Sequence, residues 1–458
     1  MSIINEKIIN EILSQNIHPS VSQVRDILQK GGMGKGLTIE DVAVLMAVED
    51  SSLLEEIFNT AKKIKEKIYG NRLVLFAPLY ISNSCSNECT YCAFRVSNQS
   101  LKRCSLTQEQ IARETKLLID SGQKRILLVS GEPASQKYFD YVLDSIHTIY
   151  SVKSGCGNIR RLNVNIAPLN VEEFRRLKQA QIGTYQLFQE TYHQRTYAAV
   201  HLKGAKANFD WRLEAIDRAM EAGIDDVGIG VLFGLYDWRF ELLALMQHAA
   251  HLEKKFGVGP HTISVPRLEP AFGSDISEKP PAEVSNLDFK KMIAILRIAV
   301  PYTGLILSTR ENPQMRRDAL ALGVSQISAG SRTNPGGYSD EAFNASQFSL
   351  GDHRSLDEVI RDVAALGYVP SFCTACYRLG RTGHDFMDLA KPGEIKDFCT
   401  PNALATFEEY LIDYASDETK KIGEALIQKE LNKMSEIRRK LASKLIERVK
   451  AKERDVFI

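Results

Sequence analysis

Charge of one sign is missing from this 458-residue sequence: 58 Lys and Arg face 57 Asp and Glu, a net charge of +1. That balance gives no electrostatic footprint for a nucleic acid or an anionic membrane. Long apolar runs are missing too. No stretch approaches the roughly 20 apolar residues of a membrane span. The opening MSIINEKIINEILSQN has no basic segment followed by a continuous apolar core, so no secretory signal is expected. There is no low-complexity linker and no internal repeat beyond a strand–helix unit. Cysteine is scarce, with eight in the chain, and a reducing compartment disfavours disulfides among them. What is present is ordinary globular composition, 44% hydrophobic and 25% charged, enough for a large core. The expectation is a cytoplasmic enzyme with neither nucleic acid nor membrane among its partners.

Residues 1–70 read as helical. Thr38 is a plausible N-cap for LTIEDVAVLM, with Glu40 and Asp41 in the first turn near the positive helix end. From there short branched apolar runs alternate with amphipathic segments. The runs are LVLFAPLYIS, RILLVSG, RLNVNIAP, TYQLFQE, DVGIGVLFG, TISVPRL, GLILSTR and SQISAGS, eight candidate strands between residues 73 and 331. Segments such as LTQEQIARETKLLIDSG and DWRLEAIDRAMEAG lie between them. Strand alternating with helix argues for a parallel sheet, and eight units for a closed (β/α)8 barrel of TIM type. The expected organisation is α/β: an N-terminal helical extension at 1–70, the barrel at 71–343, and a mainly helical domain at 344–458. The barrel pattern ends near Phe343, SLDEVIRDVAALGYVP reads as helix, and the apolar residues of the charged tail from Asp417 keep helical spacing. Ile422, Leu426, Leu431, Met434, Ile437, Leu441, Leu445 and Val449 then make one long helix packed on its own domain, with a partner-binding helix as the alternative.

Six of the eight cysteines fall into two groups. CSNECTYC places Cys85, Cys89 and Cys92 just after the first candidate strand, at the barrel mouth where active sites lie. Three thiolates on one loop suit three corners of a cubane iron–sulfur cluster, or zinc with a fourth ligand from elsewhere. With a cubane, one iron stays open for a small molecule. The second group, C-x2-C-x22-C, is Cys373, Cys376 and Cys399. Its alternatives are another such cluster or a Cys3His zinc site completed by His384. Cys104 and Cys156 have no ligand spacing and read as buried small apolar residues.

C-x3-C-x2-C after the first barrel strand, with Tyr91 before the last cysteine, resembles the radical S-adenosylmethionine (SAM) superfamily. The resemblance implies a [4Fe–4S] cluster whose open iron chelates SAM, and reductive cleavage to a 5′-deoxyadenosyl radical. Other strand ends fit by position. SGEP at 130–133 resembles the motif near the SAM amino group, through Gly131 and Glu132. Glu190 in FQETY would bind the ribose, and Arg212 in DWRLEAI resembles the arginine facing the SAM carboxylate. The glycines of GIGVLFG would let backbone approach adenine.

QETYHQRTYAAVH, PRLEP, LSTRENP and SAGSRTNPGGY resemble the aromatic amino-acid lyase branch. That branch holds the tyrosine lyase of thiamine synthesis and the tyrosine lyase that matures [FeFe]-hydrogenase. The implied reaction breaks the tyrosine Cα–Cβ bond to p-cresol and dehydroglycine. A zwitterionic substrate in a barrel needs a cation for its carboxylate. Arg310 and Arg332 end the seventh and eighth strands and offer bidentate contacts, or structural salt bridges instead. Ser308, Ser328 and Ser331 add hydroxyls. The C-terminal cysteine spacing resembles the auxiliary-cluster motif of the hydrogenase branch, which the thiamine enzyme lacks. That likeness implies a second iron–sulfur cluster with a labile extra iron, bridged by a small amino acid such as cysteine. It also implies CO and cyanide captured on iron, an electron donor, and other hydrogenase maturation proteins as partners. A histidine serves the extra iron. His261 begins the sixth strand, at the barrel end away from SAM; His251, on the preceding helix, is the other contender. A non-catalytic iron–sulfur carrier is the rival of another class, and the SAM-type residues argue against it.

Overall fold

The computed structural model describes residues 2–15, 17–339 and 346–458. Eight parallel strands close into a barrel: β1 (Arg72–Ser82), β2 (Arg125–Ser130), β3 (Arg161–Asn165), β4 (Tyr185–Gln186), β5 (Val227–Gly230), β6 (Thr262–Ser264), β7 (Gly304–Leu307) and β8 (Gln326–Ser328). β8 pairs with β1 through Val74–Phe76, and β2 takes the other edge from Ala77 onward. The α/β barrel expected from the alternation is present. Strands buried on both faces read as continuous apolar runs, and β1 is buried along its whole length.

A ninth strand, β9 (Val369–Ser371), pairs in parallel with Arg72–Val74 at the start of β1. It begins within the stretch read as helix and ends one residue beyond it. The helix there spans only Leu356–Ala365, behind a Ser355–Glu358 capping box. The barrel boundary expected at Phe343 falls outside the described residues.

Four helices precede the barrel: Glu6–Ser14, Val21–Gly32, Ile39–Met46 and Ser51–Tyr69. Thr38 caps the third, in a reciprocal box with Asp41. The tail departs from expectation. It forms two helices, Asp417–Lys433 and Glu436–Lys450, because Met434 is extended at ψ 151° and ends the first. Both pack on the Lys396–Asp413 helix. Ile437, read as part of one apolar stripe, is 83% exposed, since the second helix starts afresh with its own rotation. Among the described residues no helix is long and apolar enough to cross a membrane.

Candidate active site

β1 holds its cysteine loop by backbone bonds on two sides. A register shift between Tyr80 and Ser82 bends the strand at its last pairing, Ser82 with Ser130. Ser86 N then donates to Glu132 O at 3.0 Å, while Glu88 N and Thr90 N donate to Lys203 O and Val200 O at 2.9 and 3.0 Å. Gly131 is required here: a Cβ on it would lie 2.3 Å from Ser84 O. Cys85, Cys89 and Cys92 thereby line one cavity at the C-terminal end of the barrel. Burial pushes all three thiols up, Cys92 to about 11. Three thiols of one loop facing one cavity are the donor set that suits three corners of an iron–sulfur cluster, whose positive charge would offset the burial that disfavours their thiolates.

Beside the thiols stand two carboxylates and two cations. Arg212 Nη1 lies 3.1 Å from Glu132 Oε1, and Lys206 Nζ lies 2.7 Å from Glu190 Oε1. Arg212 also reaches Glu190 at 3.8 Å, and the Asn87 amide donates to Glu132 at 2.6 Å. Burial pushes Glu132 up, but Arg212, Lys206 and Asn87 together hold it below its usual range. All four charged groups line the cavity. A zwitterion finds charges of both signs there to offset the cost of its own desolvation. Lys206 and Asn87 were not singled out by the sequence. Lys206 follows no strand end; its backbone N–H donates to Asn87 Oδ1 at 3.0 Å and its carbonyl accepts from the Tyr197 hydroxyl at 2.5 Å, which brings it in. Tyr91 is fixed by His201: His201 Nδ1 donates to Tyr197 O, which leaves Nε2 to accept from the Tyr91 hydroxyl at 2.9 Å.

Of the two arginines expected to hold a substrate carboxylate, Arg310 lines the cavity and lies on the Phe348 ring, 3.3 Å from its centroid. Arg332 does not line it; its Nη1 donates to Ser331 O. Ser308, Ser328 and Ser331 line the cavity. Ser331 Oγ is buried without a partner among the described residues, a donor left for a ligand. Two glycines of GIGVLFG also make room inside the barrel. The Cβ space of Gly228 is taken by Gln186 and Thr262, and that of Gly230 by Phe188. They admit barrel side chains, and Leu232 is the member of the run that lines the cavity.

The second cysteine group lies at the opposite end of the barrel. β9 leads straight into Cys373, whose φ is +49°. Cys373, Cys376 and Cys399 line a cavity with Arg72, Arg161, Asp226, His261 and Arg381. A hydrogen bond from Cys399 draws Cys376 down, with Arg381 and Arg72 beside it and burial opposing, and the same bond together with burial pushes Cys399 up. Burial is the largest influence holding His261 neutral at about 4, so its imidazole is ligand-competent. His251 does not line this cavity; its Nε2 pairs with Asp217 at 2.8 Å. His384 is exposed, against Gly257, and does not join the cysteines, so the Cys3His arrangement lacks its histidine. Cys156 is exposed and Cys104 half-buried, so neither is the buried apolar residue expected; Cys156 sits on the turn of a short two-stranded hairpin.

Residues 79–246 match the model of the radical SAM superfamily, and 264–369 that of the Biotin and Thiamin Synthesis associated domain. The chain is 35% identical over 335 residues to 2-iminoacetate synthase of Escherichia coli, covering 73% of this chain and 86% of the relative. It superposes on the crystal structure of HydG, a maturase of the [FeFe]-hydrogenase, with a TM-score of 0.96 and 50% identity over 100% of both chains. The chain belongs to the radical SAM superfamily and, within it, to the HydG family. HydG from Carboxydothermus hydrogenoformans matches at TM-score 0.83 and 44% identity over 96% of each chain. Membership of the radical SAM superfamily makes the chain an enzyme and implies a [4Fe–4S] cluster and SAM.

Proposed function

We propose that this enzyme cleaves the Cα–Cβ bond of tyrosine and turns the amino-acid fragment into CO and cyanide held on iron, for assembly of the [FeFe]-hydrogenase active site. The observation that carries this reading is the second cavity: three thiols and an imidazole at the barrel end away from Cys85, Cys89 and Cys92. A tyrosine lyase that only released dehydroglycine has no use for it.

Cys85, Cys89 and Cys92 would hold the first cluster. When bound, cluster and SAM supply a 5′-deoxyadenosyl radical able to take a hydrogen atom from a substrate in the cavity. The protein's part is placement. Glu132 accepts from the SAM amino group, Arg212 faces its carboxylate, and Glu190 accepts from the ribose. Arg310 takes the tyrosine carboxylate, with Ser308, Ser328 and Ser331 beside it. After scission the cresyl fragment leaves as p-cresol once it gains an electron and a proton. Dehydroglycine, HN=CH–COO⁻, contains the atoms of CN⁻, CO and H2O with charge balanced, so no further redox partner is needed. Cys373, Cys376 and Cys399 would hold the auxiliary cluster, and His261 the extra iron, with cysteine as its small-molecule ligand. A cytoplasmic electron donor and the other hydrogenase maturation proteins complete the partners.

The test is anaerobic. Reconstituted protein is incubated with SAM, tyrosine and dithionite, with Cys89→Ala alongside. The parent is expected to form 5′-deoxyadenosine, p-cresol and CO, and the variant none of them. Undiminished p-cresol from Cys89→Ala overturns the radical reading, and p-cresol without CO from the parent returns the enzyme to the thiamine-type reaction.

A further inference from the structure

Glu190 occupies a strained place in the chain. Its φ is +71°, in the left-handed region that a residue with a Cβ seldom adopts. Such a conformation persists only where the surroundings over-determine it. On one side Leu232 N donates to Glu190 O at 2.9 Å. On the other side the next two residues are held by a single side chain. The Thr191 hydroxyl bonds Glu241 Oε1, and Tyr192 N donates to Glu241 Oε2 at 2.9 Å.

Glu241 stands in the first turn of the Trp238–Phe256 helix and is 1% exposed. Its neighbours on that helix, Phe240, Leu242 and Leu243, are buried and apolar. A carboxyl group in such a setting is costly unless both oxygens are used. Here both are committed to the segment that follows Glu190, and Glu241 itself does not line the cavity. Two turns further along the same helix, His248 Nδ1 meets the Tyr192 hydroxyl at 2.7 Å, a second tie on the same segment.

We propose that Glu241 is a positioning residue for SAM: it clamps the 191–192 bend so that Glu190 stays turned into the cavity toward Lys206 and Arg212. The inference rests on the reading that Glu190 touches the SAM ribose. Without Glu241 the Tyr192 N–H is left buried and unpaired, and the strained residue loses the tie that keeps its carboxylate in place.

The experiment uses the reconstituted holoenzyme under argon. Rates of 5′-deoxyadenosine formation are measured against SAM at saturating tyrosine, and against tyrosine at saturating SAM. The variants are Glu241→Ala, Glu241→Gln, Thr191→Val and Glu190→Gln, each with iron and sulfide content measured. Glu241→Ala is expected to raise KM for SAM at least tenfold, with KM for tyrosine within twofold and iron content near that of the parent. Glu241→Gln keeps one carbonyl acceptor for the Tyr192 N–H and should recover to within threefold. Thr191→Val, which removes only the hydroxyl, should raise KM for SAM at least threefold. A merely structural role would move both KM values together, and that result overturns the proposal. So does a KM for SAM within twofold of the parent in Glu241→Ala. Should Glu241→Ala not yield folded protein, Thr191→Val decides by the same split. If Glu190→Gln leaves KM for SAM unchanged, the ribose reading falls and the clamp with it. If Glu190→Gln weakens SAM while Glu241→Ala and Thr191→Val do not, the clamp alone falls.

Discussion

At the scale of single residues, Arg310 and Arg332 separate cleanly. They looked equivalent because both follow a barrel strand, and only side-chain placement tells them apart: Arg310 lines the cavity on the Phe348 ring, while Arg332 turns to Ser331 O. A planar guanidinium binds a carboxylate through two parallel bonds, and an ammonium cannot. Arg310→Lys should therefore raise KM for tyrosine about tenfold, a loss of roughly 1.4 kcal/mol, with KM for SAM unchanged. Arg332→Lys should stay within twofold on both, and p-cresol formation against each substrate checks the pair. The six clustered cysteines were legible because ligand spacing is written along the chain. Lys206 and Glu241 were not, since one enters through a loop and the other hides in an apolar helix. Glu241 also has a signature in pH. Burial pushes it up to about 8 from an ordinary 4.5, with Thr191 and Tyr192 N pulling down and Asp237 and Glu6 pushing up. Between those values the folded chain binds more protons than the unfolded one, so this group's stabilisation is full below about 4.5 and is lost as pH rises through about 8. Glu241→Gln should flatten that part of the slope, read as a smaller difference in Tm between pH 5 and pH 8.

At the scale of elements, β1 connects the two candidate sites. Its 11 residues extend on the order of 30 Å. Its start pairs with β9, which runs into Cys373, and its end runs into the Cys85 loop. The strand was plain in the sequence as a branched apolar run. β9 was not, because three residues with a proline at the centre carry no period of their own, and only pairing with Arg72–Val74 makes them a strand. The tail failed for the opposite reason. A helical period can be traced through Met434 and Ser435, but the backbone breaks there and restarts. The turn after β2 offers a test of how the cysteine loop is seated. Gly131→Ala puts a methyl 2.3 Å from Ser84 O, a backbone atom that cannot swing aside. The variant should lose about four irons per chain, the content of one cubane cluster, and its 5′-deoxyadenosine formation, while the C-terminal set still loads. Iron and sulfide analysis with electron paramagnetic resonance reads the outcome, and full iron content would mean the loop tolerates the displacement.

At the scale of the whole molecule, the two cysteine groups face opposite ends of one barrel, and their electrostatics differ. Burial raises Cys85, Cys89 and Cys92, whereas in the second group the Cys399–Cys376 hydrogen bond pulls Cys376 down and pushes Cys399 up, with Arg381 and Arg72 beside Cys376. Separate places and separate environments argue for separate tasks: radical cleavage at the C-terminal mouth, capture of small iron ligands at the other end. On the proposed function CO and cyanide are diffusible products, and an iron site held by Cys373, Cys376 and Cys399 would shorten their path to metal. Cys376→Ala should therefore divide the activities. It is expected to keep 5′-deoxyadenosine and p-cresol formation within about threefold of the parent, since the residues lining the upper cavity are untouched, and to deliver no iron-bound CO and cyanide. Infrared spectra of the turnover mixture read the iron-bound ligands, and activation of apo-hydrogenase reads their delivery. A zinc site at the same cysteines predicts otherwise: the parent would carry zinc and only about four irons, the content of the first cluster alone. If Cys376→Ala matures hydrogenase as well as the parent does, the second cavity has no part in the product, and the chemistry ends at dehydroglycine.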